Sequence, residues 1–445
     1  MIKIGMISLG CPRNLIDSEI MLGLLEKAGY KISEDIKFSD VAIVNTCAFI
    51  DDAKKESVDI ILELIQLKKD GNIKALVVAG CFSQRYGRKL SDELKEVDVF
   101  IGTADYPKIV SIVKKTLNNQ KVFEVNKPNF IYSHSTPRFF VTPKHFSYLK
   151  ISEGCGNRCS FCIIRRIRGR YRSRPIESIL KEAKGLSKRG AKEINLIGQD
   201  TTFYGKDIYN KLKLADLLKQ LAEENIVPWI RLLYTYPGHF TDQLIEVIAQ
   251  YSNICKYIDL PLQHINDRIL SRMKRSVSKK QILTLIDKLR KAMPDLALRT
   301  TFIVGFPGET AKEFNELLDF MKQIRFERLG IFIYSREEGT PAFSFPDQIP
   351  QYIKRQRFDK AMSLQQDISR KINQGFLGKK IDVLIDQMDS TDPGLAIGRS
   401  KDDAPEVDGR VFVKIKQKKI KPGDLLKVKI TDTYEYDLVG EITAN

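Results

Sequence analysis

Short, largely apolar runs alternate with amphipathic helical stretches over most of this chain, and that alternation leaves few folds open to it. Runs at residues 2–9, 41–45 and 75–79 are each followed by a helical segment. The segment after the second run sets Val58, Ile61, Leu62 and Ile65 on one helix face, and Asp51 and Asp52 stand at its start, where the helix dipole favours anions. A strand with no polar alternation is buried on both faces, and strands linked through helices run parallel. The first 125 residues therefore read as a parallel α/β sheet domain.

Residues 126–144, rich in Pro, Ser and Asn, read as a linker. Six further apolar runs follow, at 148–152, 193–197, 229–233, 257–260, 298–304 and 329–334, again with helical stretches between them. Six strand–helix units over 145–376 predict a partial (β/α)6 barrel, and an open doubly wound sheet is the alternative; both put function at the carboxyl ends of the strands. From 377 to 445 the pattern changes to short alternating strands at 380–387, 410–415, 425–430 and 437–443, with a turn at Lys421-Pro422-Gly423-Asp424. That is the pattern of a small β-barrel of the oligonucleotide-binding shape. The expected class is α/β with an all-β C-terminal module.

No apolar stretch approaches the roughly 20 residues of a bilayer span, and the start of the chain has no signal-peptide pattern. The expectation is a cytoplasmic, monomeric protein with no membrane partner. The net charge of +17 is uneven: residues 1–137 carry +1, residues 138–376 carry +17 and residues 377–445 carry −1. A basic middle region suits nucleic acid or other anions, and equally a solvated face.

Seven cysteines, an odd number in a chain without a secretion signal, argue against a disulfide framework. Three of them, Cys155, Cys159 and Cys162, sit in one loop, Glu153-Gly154-Cys155-Gly156-Asn157-Arg158-Cys159-Ser160-Phe161-Cys162, directly after the first strand of the middle region. Three thiolates at this spacing can hold three corners of a 4Fe–4S cubane, which normally takes four, and so leave one iron open to a ligand. A structural zinc site needs four ligands, and no fourth Cys or His lies nearby in sequence. Three more, Cys11, Cys47 and Cys81, each follow one of the three N-terminal runs. Parallel strands bring their carboxyl ends to one edge about 4.8 Å apart, so three thiols there can span a second cubane. Taken singly, each would be an ordinary buried cysteine, as Cys255 and the lone Trp229 are expected to be.

The loop spacing after a first barrel strand resembles the radical S-adenosylmethionine (SAM) superfamily. The whole chain resembles the methylthiotransferase family within it, which joins a three-cysteine domain, a radical-SAM barrel and a C-terminal module called TRAM. The resemblance implies SAM bound at the barrel cluster and cleaved by one electron from it. It also implies sulfur held by the front cluster, methylated by one SAM and transferred with the help of a second, and an electron donor as partner. Phe161 matches the position that lies against the adenine. Gln263 and Arg299, at other strand ends, are the expected polar contacts to SAM, and Gly305-Phe306-Pro307-Gly308-Glu309 belongs to the same cradle.

Two stretches, residues 8–19 and 398–409, resemble the branch of the family that modifies an aspartate of small-subunit ribosomal protein number twelve; the other branch modifies adenosine in tRNA. The acidic run Asp402, Asp403, Glu406 and Asp408 suits a basic ribosomal protein as substrate of an acidic C-terminal module. The run Arg165, Arg166, Arg168, Arg170, Arg172 and Arg174 past the cluster loop suits SAM, ribosomal RNA or internal pairing. A non-catalytic metal protein that binds RNA is the alternative from another class.

Overall fold

The computed structural model describes residues 1–415 and 419–443. The N-terminal region runs β1 (Lys3–Ser8), α1 (Pro12–Lys27), β2 (Lys31–Ser33), β3 (Val41–Thr46), α2 (Asp51–Lys69), β4 (Ala75–Gly80), α3 (Cys81–Glu93), β5 (Val99–Ile101), α4 (Ile109–Leu117) and β6 (Val122–Glu124). Its sheet has the order β2-β1-β3-β4-β5-β6, parallel throughout. β3 and β4 are buried at every position, as strands covered on both faces must be. The chain reverses its winding between β1 and β3, so the crevice of a parallel sheet opens there. The sequence reading has only β1, β3 and β4; the other three strands are three residues long and carry no periodic signal.

No helix or strand lies between Glu124 and Phe146, but the segment is pinned. Arg138 pairs with Glu19 of α1 at 2.6 Å and with Glu182 at 3.0 Å, and Tyr132 is buried.

The middle region contains β7 (Phe146–Lys150), β8 (Ser152–Glu153), α5 (Ile164–Arg168), β9 (Arg172–Ser173), α6 (Ile176–Arg189), β10 (Glu193–Ile197), α7 (Lys206–Tyr209), α8 (Leu214–Glu223), β11 (Trp229–Leu232), α9 (Asp242–Gln250), β12 (Ile254–Asp259), α10 (Asp267–Arg272), α11 (Lys279–Ala292), β13 (Ala297–Val304), α12 (Ala311–Ile324), β14 (Arg328–Ile333) and α13 (Gln351–Gln374). Six parallel strands in the order β14-β13-β12-β11-β10-β7 make the expected partial barrel. One large core packs the helices onto its outer face, while Trp229, Cys255 and Tyr257 join a second core with the N-terminal sheet. Trp229 and Cys255 are both 1% exposed and serve packing, as expected.

The C-terminal strands β15 (Lys380–Met388), β16 (Leu395–Ser400), β17 (Val411–Lys414), β18 (Leu425–Thr433) and β19 (Leu438–Ile442) close into a barrel in the order β15-β16-β17-β19-β18. The loop after β16 plugs the amino-terminal mouth of the large barrel. Arg328 pairs with Asp403 at 2.6 Å, Arg299 with Asp408 at 3.3 Å and Arg399 with Glu193 at 2.7 Å. Tyr257 and Tyr148 donate to Asp408 and Glu406, and Arg231 donates to the Lys401 carbonyl.

This corrects two expectations. Asp403 and Asp408 of the acidic run are committed to barrel arginines, and Glu406, though exposed, accepts from Tyr148, so the run is not a free charged face for a basic substrate. Arg299 is not at the functional end; its guanidinium is held by Asp259 at 2.8 Å and by Asp408. Both follow from burial, because arginines on lumen positions of apolar strands need counter-charges close by.

Asp402 lies in the same plug, where burial and then the charge of Asp403 push its carboxyl up to about 7, against the pull of Arg328 and Arg231. The folded state thus takes a proton more readily than the unfolded chain, so the stability this group contributes is lost as pH rises through about 7. Asp402→Asn is expected to stabilise the protein by about 2–4 kcal/mol at about pH 8, and to match the parent only at about pH 4 and below, where both states are protonated, in denaturation measured at both values.

Candidate functional site

The three N-terminal cysteines meet because the register of the sheet puts them level. Ser8 of β1 faces Asn45 of β3, and Asn45 faces Ala79 of β4; Cys11, Cys47 and Cys81 follow within three residues of these positions. Cys11 is the residue before α1, Cys47 opens the turn into α2, and Cys81 begins α3. Glycines allow the close approach. Gly10 has φ +84°, and a Cβ there would stand 2.9 Å from the Cys47 sulfur. Gly80 has φ +94°, and its Cβ would collide with the Asn45 side chain.

Polar side chains then lock the three turns together. Asn14 donates to the carbonyls of Leu9 and Thr46 at 2.9 Å each, and Asn45 donates back to Asn14 at 2.8 Å. Thr46 donates to Ala79 across the strands, and Ser57 donates to the Cys47 carbonyl at 2.7 Å. The thiols feel one another: burial, then Cys81 and Cys11, push the Cys47 thiol up to about 12. Burial also raises Cys81 despite Arg168, whose Nη2 lies 3.4 Å from its sulfur. For Cys11 the arginines outweigh burial: Arg13 and Arg168 bring the thiol down to about 7.

The second set lies in the loop between β8 and α5. Gly154, at φ +80°, packs so tightly on the Arg170 carbonyl that a Cβ would sit 2.1 Å from it. The Cys155 amide donates to Gly169, and the Cys162 amide to Cys159 at 3.2 Å. Ser160 is tied to Arg272 and Met273. Burial raises Cys155 to about 11 and Cys162 to about 12, with the neighbouring thiols adding to it. Arg275 approaches the Cys159 sulfur at 3.9 Å.

Between the two sets runs a buried ionic chain. Lys150 at the end of β7 pairs with Asp17 of α1 at 2.6 Å and with Glu153 at 2.7 Å, and Arg168 pairs with Asp17 at 2.5 Å. The cations outweigh burial and hold the Glu153 carboxyl down at about 2. Arg168 is therefore part of a clamp between domains, and Arg174, paired with Glu182 at 2.6 Å, is likewise internal. Arg166 and Arg172 donate to main-chain carbonyls. Within the arginine run Arg168 and Arg174 are buried, Arg165 and Arg172 are half-buried, and Arg166 and Arg170 are exposed.

Phe161 and Gln263 come together in an apolar cavity of about 210 Å³. Thr301, Ile303 and Tyr334 line it from the barrel, and Phe49 and Ile50, two and three residues past Cys47, line it from the N-terminal domain. Gln263 is fixed by a left-handed backbone, φ +73°, and bonds from its amide and carbonyl to β13. In the glycine-rich run, Glu309 is buried against Arg357 at 2.6 Å and braces the loop.

Among the described residues, no three His, Cys, Asp or Glu side chains converge as ligands of one ion. A cubane binds each thiolate through a different iron, so its ligands stand further apart than those of a single metal. The donor sets, three thiols each and no oxygen or nitrogen ligand, fit iron–sulfur chemistry. Asn14, Asp17, Asn45 and Lys150 escaped the sequence reading as site residues. Polar side chains at the ends of otherwise apolar strands and at a helix start were the available signal.

The comparisons agree with this organisation. Residues 149–321 match the radical SAM superfamily, residues 3–102 the uncharacterized protein family UPF0004 and residues 377–443 the TRAM domain. Ribosomal protein uS12 methylthiotransferase RimO of Citrifermentans bemidjiense is 47% identical over 441 residues, covering 99% of this chain and 98% of the relative. The RimO of Desulforamulus reducens is 48% identical over 441 residues, with 99% of each covered. The fold is similar to the radical SAM methyltransferase TsrM of Kitasatospora setae, solved with tryptophan and a SAM analog. That match has TM-score 0.57 and 13% identity over 83% of this chain and 89% of the other. With both three-cysteine sets, the barrel and the terminal module in place along its full length, this chain belongs to the RimO family of radical-SAM methylthiotransferases.

Proposed function

We propose that this protein attaches a methylthio group to the β-carbon of an aspartate in ribosomal protein uS12. The observation that carries the reading is the pairing of two three-thiol sets at one barrel mouth, with an apolar cavity that both domains line. When bound, a 4Fe–4S cluster on Cys155, Cys159 and Cys162 supplies the electron that cleaves SAM, and one on Cys11, Cys47 and Cys81 supplies the sulfur site.

The protein's part is to bind and position. Phe161, Ile303 and Tyr334 offer apolar surface to the adenine and keep water from the reacting centre, while Gln263 gives a polar contact. The ionic chain of Asp17, Lys150, Glu153 and Arg168 fixes the front domain on the barrel, and so fixes the distance over which the group must pass. All of these parts come from one chain, which suits a working monomer.

The partners follow from the surface. Beside the cluster loop a groove is lined by Arg158, Lys274 and Arg275, with Arg275 3.9 Å from the Cys159 sulfur. That is a fitting entry for an acidic electron donor. With its acidic loop turned inward, the C-terminal barrel keeps Lys380, Lys414, Lys421, Lys427 and Lys429 exposed, which suits ribosomal RNA beside the target protein. Among the described residues no helix is long and apolar enough to cross a membrane, and the proposed substrate puts the protein in the cytoplasm.

The test is an anaerobic assay of the iron-loaded protein with SAM, a reductant and either uS12 or tRNA, read by mass spectrometry. Methylthio addition to the aspartate is expected. Addition only to tRNA adenosine would overturn the reading.

A further inference from the structure

Two arginines stand between the thiol sets, and their surroundings differ. Arg168 is neutralised by Asp17 and Glu153. Arg13, the second residue of α1, has no carboxylate partner among the described residues. It is only half-buried; its Nη1 donates to the Gly198 carbonyl, 2.8 Å away, past the end of β10, and its neighbour on the other side is the Cys11 thiol.

Its guanidinium also lies 4.4 Å from the centre of the Tyr234 ring, past the end of β11. Tyr234 is held with φ +58°, a left-handed backbone that is costly for an aromatic residue. Its amide donates to Asp259 at 2.9 Å, and its carbonyl accepts from Thr201 at 2.9 Å. These bonds hold the ring in place beside the guanidinium.

A half-buried arginine that no carboxylate neutralises keeps donors for an anion, and its planar fork matches a carboxylate. Two carboxylates can reach a radical-SAM centre, that of the substrate and that of SAM. Arg13 meets the ends of β10 and β11, whereas the cavity of Phe161 and Gln263 opens against β13 and β14, two strands further round the sheet. We infer that Arg13 grips the side-chain carboxylate of the substrate aspartate and is the residue by which the enzyme selects an acidic side chain. The inference rests on the function proposed above.

The experiment uses the full-length, iron-loaded protein with uS12 carrying either the natural aspartate or asparagine at the modified position. The parent enzyme is expected to prefer aspartate. Arg13→Gln should raise KM for the aspartate protein about 10- to 100-fold, close the gap between the two substrates and leave KM for SAM unchanged. Arg13→Lys should restore most of the preference. Should Arg13→Gln lose iron, Tyr234→Leu, which removes the ring that seats the guanidinium, must narrow the preference in the same way.

An unchanged preference in these variants, or a rise in KM for SAM instead of uS12, overturns the assignment while leaving the proposed function standing. If the parent enzyme does not modify uS12 at all, the functional reading fails, and this inference with it.

Discussion

Replacing Cys155, Cys159 and Cys162 by alanine is expected to lower SAM cleavage by about 10³-fold or more, to the level without protein. These three thiols are the only cluster donors of the barrel loop, and that loop has a rigid support of its own. Gly154 is wedged on Arg170, the Cys155 amide is bonded to Gly169, and Ser160 is tied to Arg272 and Met273. Alanine leaves these bonds in place and takes away only the sulfurs, so the variant should fold and still dock its front domain through Lys150 and Asp17. Release of 5′-deoxyadenosine, followed by chromatography, checks the result. Cleavage at a tenth of the parent rate would show that another site delivers the electron.

The matching change at the front has a different outcome. With Cys11, Cys47 and Cys81 replaced by alanine, iron should fall from about eight to about four atoms per chain. Methylthio product should disappear, while SAM is still cleaved. The reason lies in the separate origin of the two sets: the front turns are locked by Asn14, Asn45, Thr46 and Ser57, and of these Asn14 meets the barrel domain at Arg168 of α5, past the cluster loop. Iron and sulfide analysis with product mass spectrometry checks it. A variant that keeps eight irons would place the second cluster elsewhere.

Much of this was legible because the strongest signals in the chain are local. Predominantly apolar runs gave β1, β3, β4 and all six barrel strands. A cysteine directly after each of three parallel strands gave the front site, since parallel register makes sequence-distant strand ends neighbours. What stayed hidden depends on partners far away in sequence. The three-residue strands β2, β5 and β6 have no period of their own. Residues 402–408 look like a solvated acidic loop until the arginines they meet are known.

Those arginines were nonetheless in view. Arg231, Arg299 and Arg328 interrupt strands that are otherwise apolar, and a charge on the inner face of such a strand needs an acid to meet it. Reading them together with the acidic run would have moved Arg299 from the SAM site to the plug. The clamp of Asp17, Lys150, Glu153 and Arg168 was hidden for the same reason, as it joins two domains whose docking no local pattern records.

The most direct measurement is anomalous X-ray scattering at the iron edge from crystals of the anaerobically loaded protein. Two four-iron centres are expected, one on Cys155, Cys159 and Cys162 and one on Cys11, Cys47 and Cys81, with their unligated corners turned toward the mouth where Arg13 lies. A single iron centre, zinc at either set, or two clusters facing away from each other would contradict the account.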